Sequence, residues 1–517
     1  MRKGILAVVA WMVVVVVMPM AQAAGKAKHV VVMVWDGMRP DFVTEEYTPN
    51  LYRMSQHGVT FANHHSVYMS ATEVNGVAIA TGAYPGHSRM LANKEYRPEI
   101  DAEKFIHMEG LAEVRKGDEL TGGHFINRPT TVEILRGKGI STAVAGAKPV
   151  AFLHDRMARL DASRGVDVYA GRTLPEDYLK ELTQAEGAFP ATGVTPPTRN
   201  DWTTKAMINE LWRKGVPAYS LLWLNEPDFS QHETGPGSPT SLAAIKNADD
   251  NLGRVLQALE AKGVLNETDF MLVSDHGFST VMLMMDTVAS LKAGGFNAVR
   301  EFKGAPAKDD AMVVSNGGAS LIYVTGHDEK TIGRMVEYLQ TQDYTGVVLT
   351  RKPVEGAFTF AQARIESPTS PDIWVSMRWT ADKSNTGAPG MVISDASDYG
   401  PRQGMHVSLS RYDMHNTLIA AGPDFRHGMV NHLATGNVDI APTALWILGV
   451  KPPQRMDGRV LTEALNIQGP KIKSFEAGQL EATHKMEAGT WHQYMNFTVV
   501  NGVSYFDEGN GRLDVAK

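Results

Sequence analysis

Short, mostly apolar runs alternate with segments of helical spacing along most of the chain. In residues 242–262, the apolar side chains of Ile245, Leu252, Val255 and Leu259 recur at intervals that place them on one helical face. This stretch therefore predicts an amphipathic helix. The short apolar runs are typical of buried strands. They are 29–35, 141–147, 218–224, 269–273 and 417–421.

Strands that alternate with helices are typical of a mostly parallel central sheet with helices on both faces. We therefore predict an α/β fold for residues 25–470. Residues 281–404 contain strand-like runs of their own and are predicted as an inserted cap subdomain. Residues 471–517 are predicted as a C-terminal extension built on a β-hairpin, with its turn at Asn501 and Gly502.

Residues 1–24 are predicted to be a secretory signal peptide. Arg2 and Lys3 precede an apolar stretch over 5–20, and the small residues Ala21 and Ala23 fit a cleavage site. The apolar stretch is shorter than the roughly 20 residues of a membrane-spanning helix. We expect export to a bacterial periplasm or medium, with no stable membrane span after cleavage. An uncleaved anchor helix is the alternative.

The composition argues against one class of function and limits the residue types that can bind a metal. The formal net charge of −7 argues against a general nucleic-acid-binding surface, which would be basic. The chain has no cysteine and 17 histidines, so any metal must be held by Asp, Glu and His. Such ligands suit zinc and other first-row divalent ions. The oligomeric state is left open by the sequence.

Several carboxylate and imidazole side chains follow the predicted strands. Asp36 follows the first run, and Asp275 and His276 follow the fourth. Asp228 and His232 come after the third run, with the i, i+4 spacing that lets two side chains meet one ion on a helical turn. Ligands of parallel sheets bind at the carboxyl ends of strands, which is where these residues are expected.

Other candidates are less clear from the residues alone. His406 and His415 compete as a further ligand near the last predicted strand. Thr72 precedes a predicted helix start, where a hydroxyl is a cap or, if activated by a metal, a nucleophile. Lys148 is interpreted as a solvated lysine. Histidines without ligand-like spacing are interpreted as structural: His64, His65, His87, His107, His124, His154 and His427.

Five ordered motifs resemble the alkaline phosphatase superfamily, and most closely its nucleotide pyrophosphatase/phosphodiesterase (type I phosphodiesterase) branch. They are WDGMRPDF at 35–42, TEVNGVAIATGAYPGHS at 72–88, NEPDFSQHETGP at 225–236, VSDHGF at 273–278 and GMHVSLS at 404–410. The resemblance covers roughly residues 28–280 and 400–460. It implies a metal-dependent hydrolase of phosphoric esters.

The resemblance also implies roles for individual residues. One metal would take Asp228, His232 and His406. The other would take Asp36, Asp275, His276 and the hydroxyl of Thr72, which would attack phosphorus, and Asn75 would bind a phosphoryl oxygen. The family's proline and glycine are replaced by Val74 and Val407. Because the second change can shift His406, His415 is kept as a reserve ligand.

Diesters are the predicted substrates, because no arginine near Thr72 is suited to clamp the dianion of a monoester. A double displacement through a phosphothreonine is expected, with two divalent ions, of which zinc is preferred and manganese is an alternative. Three other interpretations stay open: an alkaline phosphatase-like monoesterase, a phosphonate hydrolase, and a metal-containing binding protein of the same fold without turnover.

Overall fold

The computed structural model describes residues 25–156, 166–191, 197–396 and 399–515. The signal peptide at 1–24 lies outside these residues and stays a prediction. None of the described helices combines the length and the apolar character that crossing a membrane requires.

A nine-stranded sheet forms the centre of the fold. Its strands are, in chain order, β1 (His29–Trp35), β2 (Val59–Phe61), β3 (Thr142–Gly146), β4 (Asp167–Tyr169), β5 (Arg172–Leu174), β6 (Tyr219–Leu224), β7 (Thr268–Val273), β8 (Leu418–Ala421) and β9 (Met429–Asn431). Across the sheet they lie in the order β9-β2-β8-β7-β1-β6-β3-β4-β5. The neighbours from β7 to β4 run parallel, and β8 is antiparallel to both of its neighbours. The predicted mostly parallel sheet is confirmed.

The centre of the sheet is β1, which lies between β7 and β6. Val34 pairs with Val273 on one side and with Trp223 on the other. Because the three strands are parallel and in close register, the chain leaves all of them at the same edge of the sheet. The residues that follow these strands are therefore brought together.

Helices cover both faces of the sheet, as predicted. Successive side chains of a strand point to opposite faces. Val32 and Val34 enter one core with the helix Thr72–Thr81, whereas Met33 enters a second core with the helix Pro239–Ala261. Burying each such side chain contributes about 1.5–3 kcal/mol.

Most helical elements in the described part of the chain are short. The α-helices are Pro49–His57, Thr72–Thr81, Pro85–Ser88, Leu111–Thr121, Thr131–Arg136, Tyr178–Glu186, Pro197–Lys205, Asp228–Thr234, Pro239–Ala261, Thr287–Ala293, Glu329–Gln340, Arg411–Met414 and Ile440–Ile447. A π-helical segment spans Ala206–Leu211. The 3-10 segments are Pro40–Phe42, Pro149–His154, Leu265–Glu267, Thr325–His327, Asn437–Asp439 and Thr462–Ala464.

Residues 279–405 build two smaller sheets. A six-stranded sheet contains, in spatial order, Ala298–Val299, Ala311–Ser315, Ala319–Val324, Ile373–Met377, Thr345–Thr350 and Phe358–Thr359. A four-stranded sheet contains Trp379–Lys383, Pro389–Asp395, Ser279–Met285 and Gly404–Met405. The role of this segment as a cap over a substrate stays a prediction.

The C-terminal residues form a three-stranded antiparallel sheet, one strand more than the predicted hairpin. Its strands are Phe475–Met486, Gly489–Val500 and Val503–Val515. Asn501 and Gly502 make the predicted turn, and both have the positive φ that a tight hairpin turn favours. The first strand is largely polar and exposed, so the apolar pattern did not reveal it. Two small sheets pair Lys94–Tyr96 with Phe105–His107 and His64–His65 with Thr435–Gly436.

Candidate functional site

Five of the six Asp and His residues predicted as ligands follow strands that are neighbours in the central sheet. Asp36 follows β1, the helix Asp228–Thr234 follows β6, and Asp275 and His276 follow β7. The sixth, His406, returns to this edge from the far end of the insertion. The fold therefore brings together side chains that are far apart in the sequence.

Asp228, His232 and His406 form one candidate metal group. Nε2 of His232 lies 3.3 Å from Oδ1 of Asp228, one helical turn earlier. Nε2 of His406 lies 3.6 Å from the same oxygen. Asp228 and His406 are buried, and His232 is partly buried.

Asp36, Asp275 and His276 form a second, fully buried group. Nε2 of His276 lies 3.2 Å from Oδ2 of Asp275 and 3.6 Å from Oδ1 of Asp36. The rings of His276 and His406 stack with their centroids 3.7 Å apart, so the two groups are adjacent.

The three imidazole rings of these groups are oriented in the same way. Nδ1 of His232, His276 and His406 each contacts a backbone carbonyl oxygen, at 3.0, 2.9 and 2.8 Å. A carbonyl oxygen can only accept, so Nδ1 carries the proton in each neutral ring. The lone pair of Nε2 is therefore directed into the site, as in histidines that bind metals.

One oxygen of each carboxylate is buried without a hydrogen-bond partner. These atoms are Oδ1 of Asp36, Oδ1 of Asp228 and Oδ2 of Asp275, and each faces an imidazole Nε2. Buried oxygens without a partner cost free energy in the protein alone. Carboxylate oxygens and imidazole nitrogens together are the ligands of zinc and related ions. The donor set therefore fits divalent cations.

The protonation of the carboxylates shows how much negative charge is concentrated here. Burial, and then the charge of Asp275, raises the pKa of Asp36 well above its usual value. Burial raises the pKa of Asp275 to about 7. Burial also opposes ionisation of Asp228, but the positive charge of Lys148 outweighs it and holds the pKa of Asp228 well below its usual value. Cations bound here would displace the protons that this crowding retains.

Lys148 lies inside the site, so its interpretation as a solvated lysine is wrong. Its Nζ is 3.0 Å from Oδ2 of Asp36, 3.0 Å from Oδ2 of Asp228 and 3.4 Å from Oγ1 of Thr72. Burial favours the neutral amine, but the carboxylates of Asp228 and Asp36 hold the pKa of Lys148 well above its usual value. Lys148 follows β3, the strand next to β6. Its position directly after a predicted strand was the feature of the sequence that could have placed it in the site.

Thr72 is the first residue of the helix Thr72–Thr81, and its side chain does not cap that helix. Its Oγ1 lies 3.2 Å from Nε2 of His276. The residue is 2% exposed, so the hydroxyl is directed into the site and not to solvent. A helix N-terminus beside the hydroxyl also favours negative charge at this point.

The structure does not support the predicted role of Asn75 as a ligand of a phosphoryl oxygen. Its Nδ2 donates to the carbonyl oxygens of Val67, Met69 and Ala71 at 3.3, 3.0 and 3.1 Å. Its Oδ1 accepts from the backbone N–H of Val67 and from the amide of Asn437. Asn75 is fully buried and braces the loop that leads into Thr72.

We expect Asn75→Ala to lower the free energy of unfolding by about 2–4 kcal/mol, because it leaves several buried backbone groups without partners. Urea unfolding of the full chain measures this loss. Asn127→Ala, which breaks one solvent-accessible side-chain hydrogen bond, is the control with little expected effect. Normal stability together with a large loss of turnover would instead restore Asn75 as a substrate ligand.

His406 lies beside Asp228 in the first candidate group, and His415 does not. His415 lies with His65 and Asp507 in a separate group, so its reserve role at the first metal is wrong. Val407, where the family has glycine, has a φ of +85°. A β-branched residue is strained there, yet His406 keeps its place in the site.

Val74 stands where the family has proline, and Thr72 still lies in the site. Val74 lies in the first turn of the helix Thr72–Thr81 and is buried. The first turn tolerates both residues, since its backbone N–H groups have no partner within the helix.

Asn93 is a residue that sequence reasoning missed. Its Oδ1 accepts the backbone N–H of Glu73 at 3.1 Å, which fixes the side chain beside Thr72. Nothing in the spacing of the sequence marked it, because it lies in a stretch without regular periodicity.

Comparisons with known proteins show to which family the chain is similar. The family model of type I phosphodiesterase / nucleotide pyrophosphatase matches residues 30–390. The bis(5'-adenosyl)-triphosphatase enpp4 of Xenopus laevis is 22% identical over 252 residues, 48% of this chain and 47% of that protein. Venom phosphodiesterase 2 of Crotalus adamanteus is 21% identical over 253 residues, 48% of this chain and 26% of that protein. The match thus spans less than half the length of these relatives.

A solved structure shows the same fold. Human ectonucleotide pyrophosphatase/phosphodiesterase 5 superposes with a TM-score of 0.58 and 16% identity, over 85% of this chain and 100% of that one. At this identity the likeness concerns the fold, while the family model covers most of the chain. The chain belongs to the type I phosphodiesterase/nucleotide pyrophosphatase family.

Proposed function

We propose that this chain hydrolyses phosphoric diesters with two divalent cations and a covalent phosphothreonine at Thr72. One observation carries the proposal: two groups of Asp and His ligands meet beside the Thr72 hydroxyl, and each carboxylate directs an unpartnered oxygen into the site. A phosphoester with a nucleotide or alcohol leaving group fits the family.

Asp228, His232 and His406 would hold one cation, and Asp36, Asp275, His276 and Thr72 the other. Bound there, the cations would lower the pKa of the threonine hydroxyl and stabilise charge on the attacking and leaving oxygens. Zinc is the proposed ion, since carboxylate and imidazole ligands suit it.

Thr72 then acts as the nucleophile in a double displacement. A bond forms from Oγ1 to phosphorus as the bond from phosphorus to the leaving oxygen breaks. The threonine proton passes to solvent and the leaving oxygen takes up a proton. A water molecule next attacks the phosphothreonine, which restores the hydroxyl and releases a phosphate monoester. The burial of Thr72 holds the reacting oxygen in one place, which lowers the entropic part of the barrier.

Lys148 and Asn93 are the donors best placed to bind phosphoryl oxygens. The Lys148 ammonium lies beside Thr72, and Asn93 is fixed at the start of the same helix. Arg39, by contrast, is held by the carbonyl oxygens of Phe278 and Pro389. Because Arg39 is engaged in this way, it is not available to clamp a dianion bidentately, and this favours the single charge of a diester.

A phosphomonoesterase is the second candidate, and Lys148 is the observation that favours it. A buried ammonium beside the nucleophile adds positive charge, which a dianion would use more fully than a monoanion. The two candidates differ in their preferred substrate and share the nucleophile.

The test is turnover of three chromogenic esters by chelated and zinc-restored protein. Bis(p-nitrophenyl) phosphate and thymidine 5'-(p-nitrophenyl) phosphate are diesters, and p-nitrophenyl phosphate is a monoester. A higher kcat/KM for either diester after zinc restoration supports the proposal. Preference for the monoester supports the second candidate. Failure of zinc to produce turnover on all three would leave a binding protein of the same fold.

Export to the periplasm or medium is proposed from the N-terminal sequence alone. Expression of the full chain, followed by fractionation and N-terminal sequencing, tests it. A mature N-terminus near Ala24 in the periplasmic fraction is the expected result.

A further inference from the structure

A third group of metal-ligand side chains lies apart from the two groups beside Thr72. It consists of His65, His415 and Asp507, whose ligand atoms all lie within 4.8 Å of one another. The three residues come from distant parts of the chain: the short strand His64–His65, the segment before β8, and the strand Val503–Val515. The proposed hydrolysis uses none of them.

The geometry of His65 repeats that of the three histidines beside Thr72. Its Nδ1 lies 3.1 Å from the carbonyl oxygen of Thr435, so Nδ1 carries the proton in the neutral ring. Its Nε2 lies 2.7 Å from Oδ1 of Asp507, and Nε2 of His415 lies 3.5 Å from the same oxygen. Two imidazole nitrogens therefore face one carboxylate oxygen, and a cation that displaces their protons would be shared by all three side chains.

The spacing suits a zinc-sized ion after a small adjustment. Tetrahedral ligands at about 2.0–2.1 Å from zinc lie roughly 3.4 Å apart. The separation of His415 and Asp507 already matches, and the shorter contact to His65 must lengthen. The Asp507 side chain is 27% exposed and can move, whereas the His65 side chain is fully buried and fixed.

An ion can reach this group from solvent. A cavity of about 560 Å³ is lined by Arg39, Tyr412, His415, Asp507 and other residues. The positive charge of Arg411, also in its wall, is balanced by Glu508, whose Oε2 lies 2.5 Å from Nε of Arg411. The cavity thus offers an entry path and room for a water or other ligand at the open position.

We propose that His65, His415 and Asp507 form a further divalent cation site, of the zinc class, that binds the C-terminal sheet to the core. Its three protein ligands leave one coordination position facing the cavity. The ion would join the strand Val503–Val515 to the two loops that carry the histidines. Its role is to hold these parts together, and its effect is on stability.

The test is the zinc content of the full chain after chelation, reloading with zinc and gel filtration. On this proposal, His415→Ala and Asp507→Asn each lose one zinc ion per chain relative to the unmodified protein. His492→Ala is the matched control, because His492 lies partly exposed on the same C-terminal sheet outside the group. This control retains the full zinc content.

A second arm separates this site from the one proposed for hydrolysis. The double variant Asp36→Asn with Asp228→Asn removes a carboxylate from each group beside Thr72. It is expected to keep one zinc ion, which addition of His415→Ala removes, and zinc is expected to raise its Tm only while His415 is present. Unchanged zinc content in both His415→Ala and Asp507→Asn would overturn the proposal, whatever the outcome for hydrolysis.

Discussion

Thr72→Ala is expected to lower kcat by a factor of at least about 10³, which corresponds to about 4 kcal/mol of transition-state stabilisation. The variant removes the oxygen that forms the phosphothreonine, whereas the proposed Asp and His ligands remain. Alanine favours the helix in which the residue lies, so the fold is expected to persist. Steady-state turnover of the zinc-restored protein on a diester measures the effect. The zinc content checks that the cations are still bound, and circular dichroism checks that the fold persists.

Two further variants make this result specific. Thr72→Ser keeps a hydroxyl and is expected to retain part of the activity. Thr81→Ala removes a hydroxyl from the other end of the same helix, where it donates to the carbonyl oxygen of Val77. It is expected to turn over normally. If Thr72→Ala turned over at a near-normal rate with its cations bound, the covalent mechanism would be wrong.

Asp36→Asn is expected to reduce kcat by about 10³-fold or more and to lose one bound cation, because it removes an anionic ligand. In the chelated protein, Asp36→Asn is not expected to lower the Tm, whereas most substitutions in a protein core do. Because burial raises the pKa of Asp36 above its usual value, ionising this carboxyl in the folded protein lowers the stability as the pH rises from the usual pKa to the raised one. A neutral amide of the same shape therefore keeps or raises the Tm of the metal-free fold, while Lys148 keeps Asp228 as its partner.

Asp41→Asn is the matched control for this variant. Asp41 lies in the same sequence motif, but its side chain is 45% exposed and pairs with Arg39. Turnover and cation content should both stay near those of the unmodified protein. Equal losses in the two variants would show that the segment, and not the Asp36 carboxylate, is what matters.

The parts of the fold that sequence reasoning predicted are those in which local pattern and burial coincide. The runs that became β1, β6 and β7 are buried along nearly their whole length, so apolar continuity marked them. The same strands led to Asp36, Asp228 and Asp275, because position after a parallel strand implies position at one edge of the sheet.

The residues that sequence reasoning misjudged depend on contacts from remote parts of the chain. The role of Lys148 follows from β3 lying next to β6, and a sequence does not give strand order. Asn75 and its partner Asn437 are far apart in the chain, so the bracing of the loop was not visible. His65 became a candidate ligand only when Asp507 approached it from the C-terminal sheet.

The order of strands has a consequence for synthesis of this protein on the ribosome. Strand β2 emerges early, yet within the described sheet its partners are β8 and β9, which are made near the end of translation. A nascent chain that has just completed β7 already contains Asp36 and Asp228, but it lacks Asp275, His276, His406 and the partners of β2. The edge of the sheet that β8 and β9 complete therefore keeps unpaired backbone groups until translation is nearly finished. Such an edge is prone to aggregation, so the unfinished chain is expected to bind chaperones.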